Sequence, residues 1–272
     1  MPLEYFWLIP LGFVVGAYGT LIGAGGGFVL VPALLLLFPR EATETITGIS
    51  LAVVFFNALS GTIAYGRLKR IEYRSGLLFS AATIPGAILG ALTTAFLPRR
   101  IFDFVFGLLL LALAVFLVVR PVARKKGAQT CSPEDRACTL TEANGRVHRF
   151  SYNPLRGAAF SLFVGYFSSL LGIGGGIIHV PMLVHLLNFP VHIATATSQF
   201  MLMNMALTGT LTHLAAGTFT QGLRRIIMLS LGVLLGAQLG ARLSGRMQGP
   251  WIIRGLAIAL GLVGARLLLA LL

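Results

Sequence analysis

Eight apolar runs organise this chain, at about residues 5–38, 43–65, 75–97, 101–120, 156–188, 191–216, 224–244 and 251–271. Short boundaries rich in charge, proline or glycine separate them. About twenty apolar residues in a helix cross the ~30 Å hydrocarbon core of a bilayer. The stretch IFDFVFGLLLLALAVFLVV at 101–119 has no alternation of polar and apolar positions, so the runs predict helices rather than a barrel. The fold class expected is an all-α integral membrane protein.

Two of the runs are broken. LIGAGGGFVLVP (Leu21 to Pro32) and LLGIGGGIIHVP (Leu170 to Pro181) put a glycine cluster and a proline inside long apolar segments. Consecutive glycines disfavour helix. A break at mid-membrane is tolerated only where it is buried in protein or lines a cavity, so both runs are predicted to be broken or re-entrant helices.

The two phrases are a repeat. Gly23 falls on Gly172 and Pro32 on Pro181 at an offset of 149 residues. The register continues: TITGIS and ALSGTIAY (Thr45 to Tyr65) lie over IATATS and ALTGTLTH (Ile193 to His213), and PGAILGA (Pro85 to Ala91) lies over LGAQLGA (Leu235 to Ala241). The domain organisation expected is a first membrane repeat at 1–120, a polar linker at 121–155 and a second membrane repeat at 156–272.

Composition agrees with this pattern. Of the 272 residues 56% are hydrophobic and 11% charged, and the mean hydropathy is +0.88. The net charge of +13 does not point to nucleic acid, because Lys and Arg gather at the ends of apolar runs, where they anchor to headgroups and set orientation. The N-terminal stretch lacks the positive n-region of a signal peptide and reads as a retained span.

If each run crosses once, the 66–74 loop, the linker and the 217–225 loop share one side. Their basic residues, among them Arg67, Lys69, Arg70, Arg124, Lys125, Lys126, Arg224 and Arg225, make that side cytoplasmic. Arg40, Arg99, Arg100, Arg242 and Arg246 then lie opposite. If each glycine element adds a crossing, the halves become inverted repeats and the termini move outside, while the linker stays inside. In the linker, Asn144-Gly145 marks a tight β-hairpin turn. Cys131, Cys138 and His148 do not make a four-ligand metal set, and on a cytoplasmic face the thiols are expected reduced.

The breaks are the first place for chemistry. Amide groups freed by Gly23, Gly25, Gly26 and Gly27, and by Gly172, Gly174, Gly175 and Gly176, precede an apolar helical run and are expected to form an anion site, with close helix packing the alternative. No Gly-Lys-Ser/Thr follows, which excludes a nucleotide P-loop. Gly86 and Gly90 are explained by close helix packing.

The next spans supply neutral donors, Ser50 and Asn57 in the first half, Thr197, Ser198, Gln199 and Asn204 in the second. Lone hydroxyls in membrane helices commonly bond back to their own carbonyls, but the amides need partners and are expected at the repeat interface. His179 and His213 are candidates for proton coupling, with a buried neutral histidine the alternative. No carboxylate stands mid-span, and no His-Glu-x-x-His or Gly-x-Ser-x-Gly motif is present, so neither a carboxylate relay nor an enzyme is expected.

The paired GAGGGFVLVP and GIGGGIIHVP, each followed by a Thr/Ser-bearing helix and an SGT or TGT sequence, resemble the sulfite exporter TauE/SafE family across 1–120 and 156–272. The resemblance implies a multi-pass permease of the bacterial inner membrane that moves sulfite, sulfoacetate or another organosulfonate without ATP or a cofactor. Its partners would be a small anion and the lipid bilayer, with monomer or homodimer left open. The charged linker is not part of the matching pattern. A passive anion channel, or a membrane anchor whose linker recruits a partner protein, are the competing readings.

Overall fold

A computed structural model describes residues 5–119, 135–217, 222–247 and 249–269. Cys131, Arg124, Lys125 and Lys126 lie outside the described residues. The first half comprises α1 (Leu8–Ile22), α2 (Gly27–Leu37), α3 (Thr43–Arg67), α4 (Tyr73–Thr94) and α5 (Arg99–Val119). The second comprises α6 (Pro154–Leu170), α7 (Gly176–Pro181) continued by a π-helical turn (Met182–Leu186), α8 (Val191–Ala215), α9 (Leu223–Ser244) and α10 (Gly249–Leu269). Between them β1 (Arg136–Thr141) and β2 (Val147–Tyr152) pair antiparallel, with Asn144 and Gly145 in the turn.

Local chemistry sets the ends. Asn153 caps α6 by accepting the Arg156 N–H at 3.0 Å, with Pro154 in the first turn, where its missing N–H costs nothing. α1 ends on Gly23 at φ 81°, in the left-handed region that favours glycine.

α3, α4, α5, α9 and α10 are long and apolar enough to cross a membrane. They turn large apolar side chains outward, such as Leu77, Leu89, Leu108, Leu235 and Leu262, as a lipid-facing surface requires. α8 is as long as α3, at 25 residues.

The glycine-bearing runs do not cross. α1 has 15 residues and α2 has 11, about 22 and 16 Å at 1.5 Å per residue, each too short for a full span. Both ends of this element return to one end of the bundle. There Arg225, at the start of α9, reaches Tyr5, Phe38 and Glu41, while Arg99 donates to the Leu35 and Pro39 carbonyls. The second element opens at the other end, after β2, and its exit residue Phe189 stacks on Tyr152 at 5.2 Å and Phe150 at 4.5 Å.

The sequence leaves two topologies open, and the arrangement differs from the one in which each run crosses once: α3, α4, α5, α8, α9 and α10 run the length of the bundle, and two re-entrant hairpins enter from opposite ends. This inverts the halves. It also moves Arg224 and Arg225 to the end opposite the β-hairpin, and Arg242 and Arg246 to the hairpin's end.

The halves interlock. α1 lies parallel to α9: a Cβ on Gly232 would strike Ile9 O, one on Gly236 Phe13 O, and one on Gly240 Ala17 O. α6 lies parallel to α4 in the same way, with Gly86 against Leu162 O and Gly90 against Tyr166 O. Only glycine permits backbones this close, so these residues do pack helices, as expected for Gly86 and Gly90.

The β-hairpin is docked rather than trailing. Buried Glu142 accepts from Arg70 Nε at 2.9 Å and lies 2.7 Å from His148 Nε2, and the Ala143 N–H donates to Leu68 O. Cys138 is a half-buried free thiol whose pKa burial pushes up.

Candidate functional site

The two glycine breaks meet at the centre of the bundle. A Cβ added to Gly27 would sit 2.7 Å from Ile173 O, and one on Gly176 would strike Gly23 O and stand 2.6 Å from Ala24 Cα. Gly23, Gly25 and Gly26 have φ of 81°, 75° and 80°, and their counterparts Gly172, Gly174 and Gly175 have 68°, 79° and 87°. Six left-handed glycines fold two breaks into the same shape.

One face of α3 and one of α8 close the breaks. Helical spacing puts Thr47, Ser50, Val54, Asn57 and Gly61 on the first, and Thr195, Ser198, Leu202, Met205 and Gly209 on the second. Each serine reaches the opposite half: Ser50 Oγ donates to Gly172 O at 2.7 Å, and Ser198 Oγ donates to Gly23 O at 3.0 Å. Val54 and Leu202 stand over Gly174 and Gly25 as an apolar floor. Among the backbone hydrogen bonds of the described residues, none takes the N–H of Gly26, Gly27 or Phe28, or of Gly174, Gly175, Gly176 or Ile177.

Around the first break the side chains form a connected network, with Gln199 Oε1 left without a partner. Thr20 Oγ1 donates to Asn57 Oδ1 at 3.1 Å, Asn57 Nδ2 donates to Gly25 O at 3.0 Å, and Gln199 Nε2 donates to Thr20 Oγ1 at 2.9 Å. Tyr65 OH donates to Thr20 O. All four residues are fully buried. Around the second break the buried hydroxyls of Ser168 and Ser169 and both ring nitrogens of His179 have no partner.

Not every expected residue reaches the site. Thr197 faces the α3–α4 turn, where its hydroxyl accepts the Glu72 N–H at 3.1 Å. Asn204 turns toward α4, donating to Phe200 O at 3.0 Å and Ser80 Oγ at 3.3 Å. Both lie off the helical face that carries Ser198 and Met205, and it is Met205 that takes the place corresponding to Asn57. Thr47 and Thr195 bond back to carbonyls of their own helix. His213 is buried one turn beyond Gly209 and does not border the glycine loops.

Thr20, Ser168, Ser169 and Met205 went unread in the sequence. The available signal was the hydroxyl one turn before each glycine cluster, Thr20 over Ser169. Among the described residues no group of three His, Cys, Asp or Glu could hold a metal ion.

A family model described as sulfite exporter TauE/SafE matches residues 8–267. The chain is 32% identical over 226 residues to the probable membrane transporter protein YunE of Bacillus subtilis (strain 168), covering 79% of this chain and 80% of that protein. It is 26% identical over 227 residues to the probable membrane transporter protein MJ0441 of Methanocaldococcus jannaschii, covering 80% of this chain and 77% of that protein. No solved structure matches it. With this match running from α1 to α10 and including both glycine breaks, the chain belongs to the sulfite exporter TauE/SafE family of membrane transporters.

Proposed function

We propose that this protein is a secondary transporter that carries a small sulfur-containing anion, such as sulfite, sulfoacetate or another organosulfonate, across the bacterial inner membrane. The observation that carries this reading is the pair of back-to-back glycine breaks with unspent backbone N–H groups at the centre of the bundle. An oxyanion there replaces water with the amide donors that the glycines of the breaks leave free. Neutral donors hold an anion weakly enough to release it.

The side-chain hydrogens of Ser50, Asn57 and Ser198 and the Gln199 amide are engaged in holding the breaks, so their role in this reading is to present the backbone donors. The residues around the breaks are fully buried, which supports a carrier that exposes them alternately over an open channel. Re-entrant hairpins entering from opposite ends suit that exchange, since each can open its own side. The end bearing the β-hairpin, with Arg67, Lys69, Arg70, Arg74, Arg146 and Arg149, is assigned to the cytoplasm by the positive-inside bias.

Thermal stabilisation of the detergent-purified protein by sulfite, thiosulfate, sulfoacetate, taurine and sulfate, against a chloride blank, tests this. A shift confined to one or two sulfur anions is expected. Equal shifts for all of them and for chloride would remove the substrate assignment.

A further inference from the structure

The two breaks share a backbone but not a lining. At the position where the second half has Ser168 the first has Gly19, where the second has His179 the first has Leu30, and where the second has Met205 the first has Asn57. The first break is consequently tied shut by its own side chains, with Asn57 spanning from Thr20 to the Gly25 carbonyl. The second lacks that tie.

What it has instead is a cradle. Ser168 Oγ, His179 Nδ1 and Met205 Sδ lie 3.0, 3.1 and 3.2 Å from the one point where a side chain on Gly175 would stand. Ser168 and His179 are fully buried; the Ser168 hydroxyl is unpartnered, and the His179 ring lies against the Gly175 carbonyl, which already takes the N–H groups of Ile178 and His179, without a bond of full hydrogen-bond geometry. Buried polar groups left without partners are costly in the empty state, and a ligand removes that cost on binding.

We infer that the transported anion is bound lopsidedly, at the second break, in a subsite made by the Ser168 hydroxyl, the His179 imidazole N–H and the amides of Gly174–Gly176. The first break serves as its fixed counterpart. The inference rests on the transporter reading above and adds which half binds and with which side chains. The chemistry selects a compact anion with several acceptor oxygens. Two neutral side-chain donors from different helices, converging over a glycine, leave no room for a bulky group beside them. The Met205 thioether offers a polarisable contact where the first half has an amide.

The repeat itself supplies the test, because each second-half residue can be replaced by its first-half counterpart. Full-length wild type, Ser168→Gly, His179→Leu and Tyr65→Phe are compared by sulfite titration and by sulfite uptake into proteoliposomes. Ser168→Gly and His179→Leu are expected to weaken sulfite binding by about tenfold to hundredfold, as loss of a hydrogen bond to a charged ligand does, with melting temperature unchanged or raised. Tyr65→Phe, which removes a bond within the first break, should lower the melting temperature and keep the affinity.

Wild-type affinity in both Ser168→Gly and His179→Leu would overturn the subsite, leaving an ordered water as its occupant. Equal losses in all three variants would overturn the lopsided assignment. If His179→Leu fails to fold, His179→Phe, which keeps a flat ring and removes both nitrogens, takes its place with the same outcomes. A wild type that responds to neither sulfite nor sulfoacetate defeats the transporter reading first, and the subsite with it.

Discussion

Ser198 and Gly23 lie in different halves of the chain, yet the serine hydroxyl donates to the glycine carbonyl at 3.0 Å, and Ser50 and Gly172 repeat the bond in the opposite sense at 2.7 Å. A left-handed glycine at the end of α1 or α6 turns its carbonyl out of the helix, where it has no partner along its own axis. The two bonds satisfy those carbonyls and clamp each break to the long helix of the other half.

Removing either clamp leaves a buried carbonyl unpaired. Ser198→Ala and Ser50→Ala should each destabilise the protein by about 1 kcal/mol, near the upper end of side-chain hydrogen bonds measured in membrane proteins. Unfolding of the purified variants in a mixed detergent series reads this directly. A midpoint unchanged in both would mean that the clamp contributes nothing.

The glycines divide into two classes with different failures. Gly175 has φ 87°, and any Cβ there enters the cradle formed by Ser168, His179 and Met205. Gly236 is helical, and a Cβ there strikes Phe13 O in the α1–α9 contact. Gly175→Val is expected to insert into the membrane and to abolish transport. Gly236→Val should instead lower the yield of folded protein, because α1 can no longer seat on α9. Uptake at wild-type rate by a well-inserted Gly175→Val protein would remove the site from the second break.

Much of this was legible because left-handed backbone is written almost exclusively in glycine. The doubled cluster announced two breaks of one shape, and the Asn144-Gly145 pair marked a hairpin turn in the same way. The breaks were legible as broken or re-entrant helices, but the choice between the two was not, since a run such as 5–38 counts apolar residues without recording that the chain doubles back at Gly23–Gly26. That fact depends on which end Phe38 and Arg225 share.

The lining residues were partly misread for a reason of geometry. Asn204 shares its residue type with Asn57 but stands one position out of register; the helical face runs through Ser198, Leu202, Met205 and Gly209, and one position of slip is about 100° of rotation. Ser168 was missed because one hydroxyl before a glycine cluster carries no charge, and its lack of a partner exists only in three dimensions.

The first re-entrant hairpin is fastened at its mouth by Arg225. Its guanidinium lies 3.9 Å above the Phe38 ring, and Nη2 donates to Glu41 Oε1 at 2.9 Å. Lysine preserves the charge and loses the flat stacking surface. Arg225→Lys should therefore destabilise the protein by about 1 kcal/mol. Cysteine-accessibility labelling near Phe38 should rise with it. No increase in labelling would assign the stabilisation to the ion pair alone.

The β-hairpin is held by a group that titrates. Burial alone would push the Glu142 carboxyl up, but the hydrogen bond from His148 and the charge and hydrogen bond of Arg70 outweigh it and hold the pKa below the ordinary 4.5. A carboxyl with a depressed folded-state pKa contributes stability that is fully present above the unfolded value and is lost as pH falls through the folded one. The hairpin should stay docked at neutral pH and loosen only below about pH 4.5, with protease cleavage of the 135–153 segment rising there.

Glu142→Gln keeps the shape and removes the charge, leaving the Arg70 guanidinium, whose Nη1 already lacks a partner, buried without a counterion. That should cost about 2 kcal/mol of docking free energy and flatten the acid transition, so that cleavage is already fast at pH 7. A cleavage profile identical to wild type across the pH series would mean that the aromatic contacts of Phe150 and Tyr152 with Phe189 hold the hairpin without help from the Arg70–Glu142–His148 cluster.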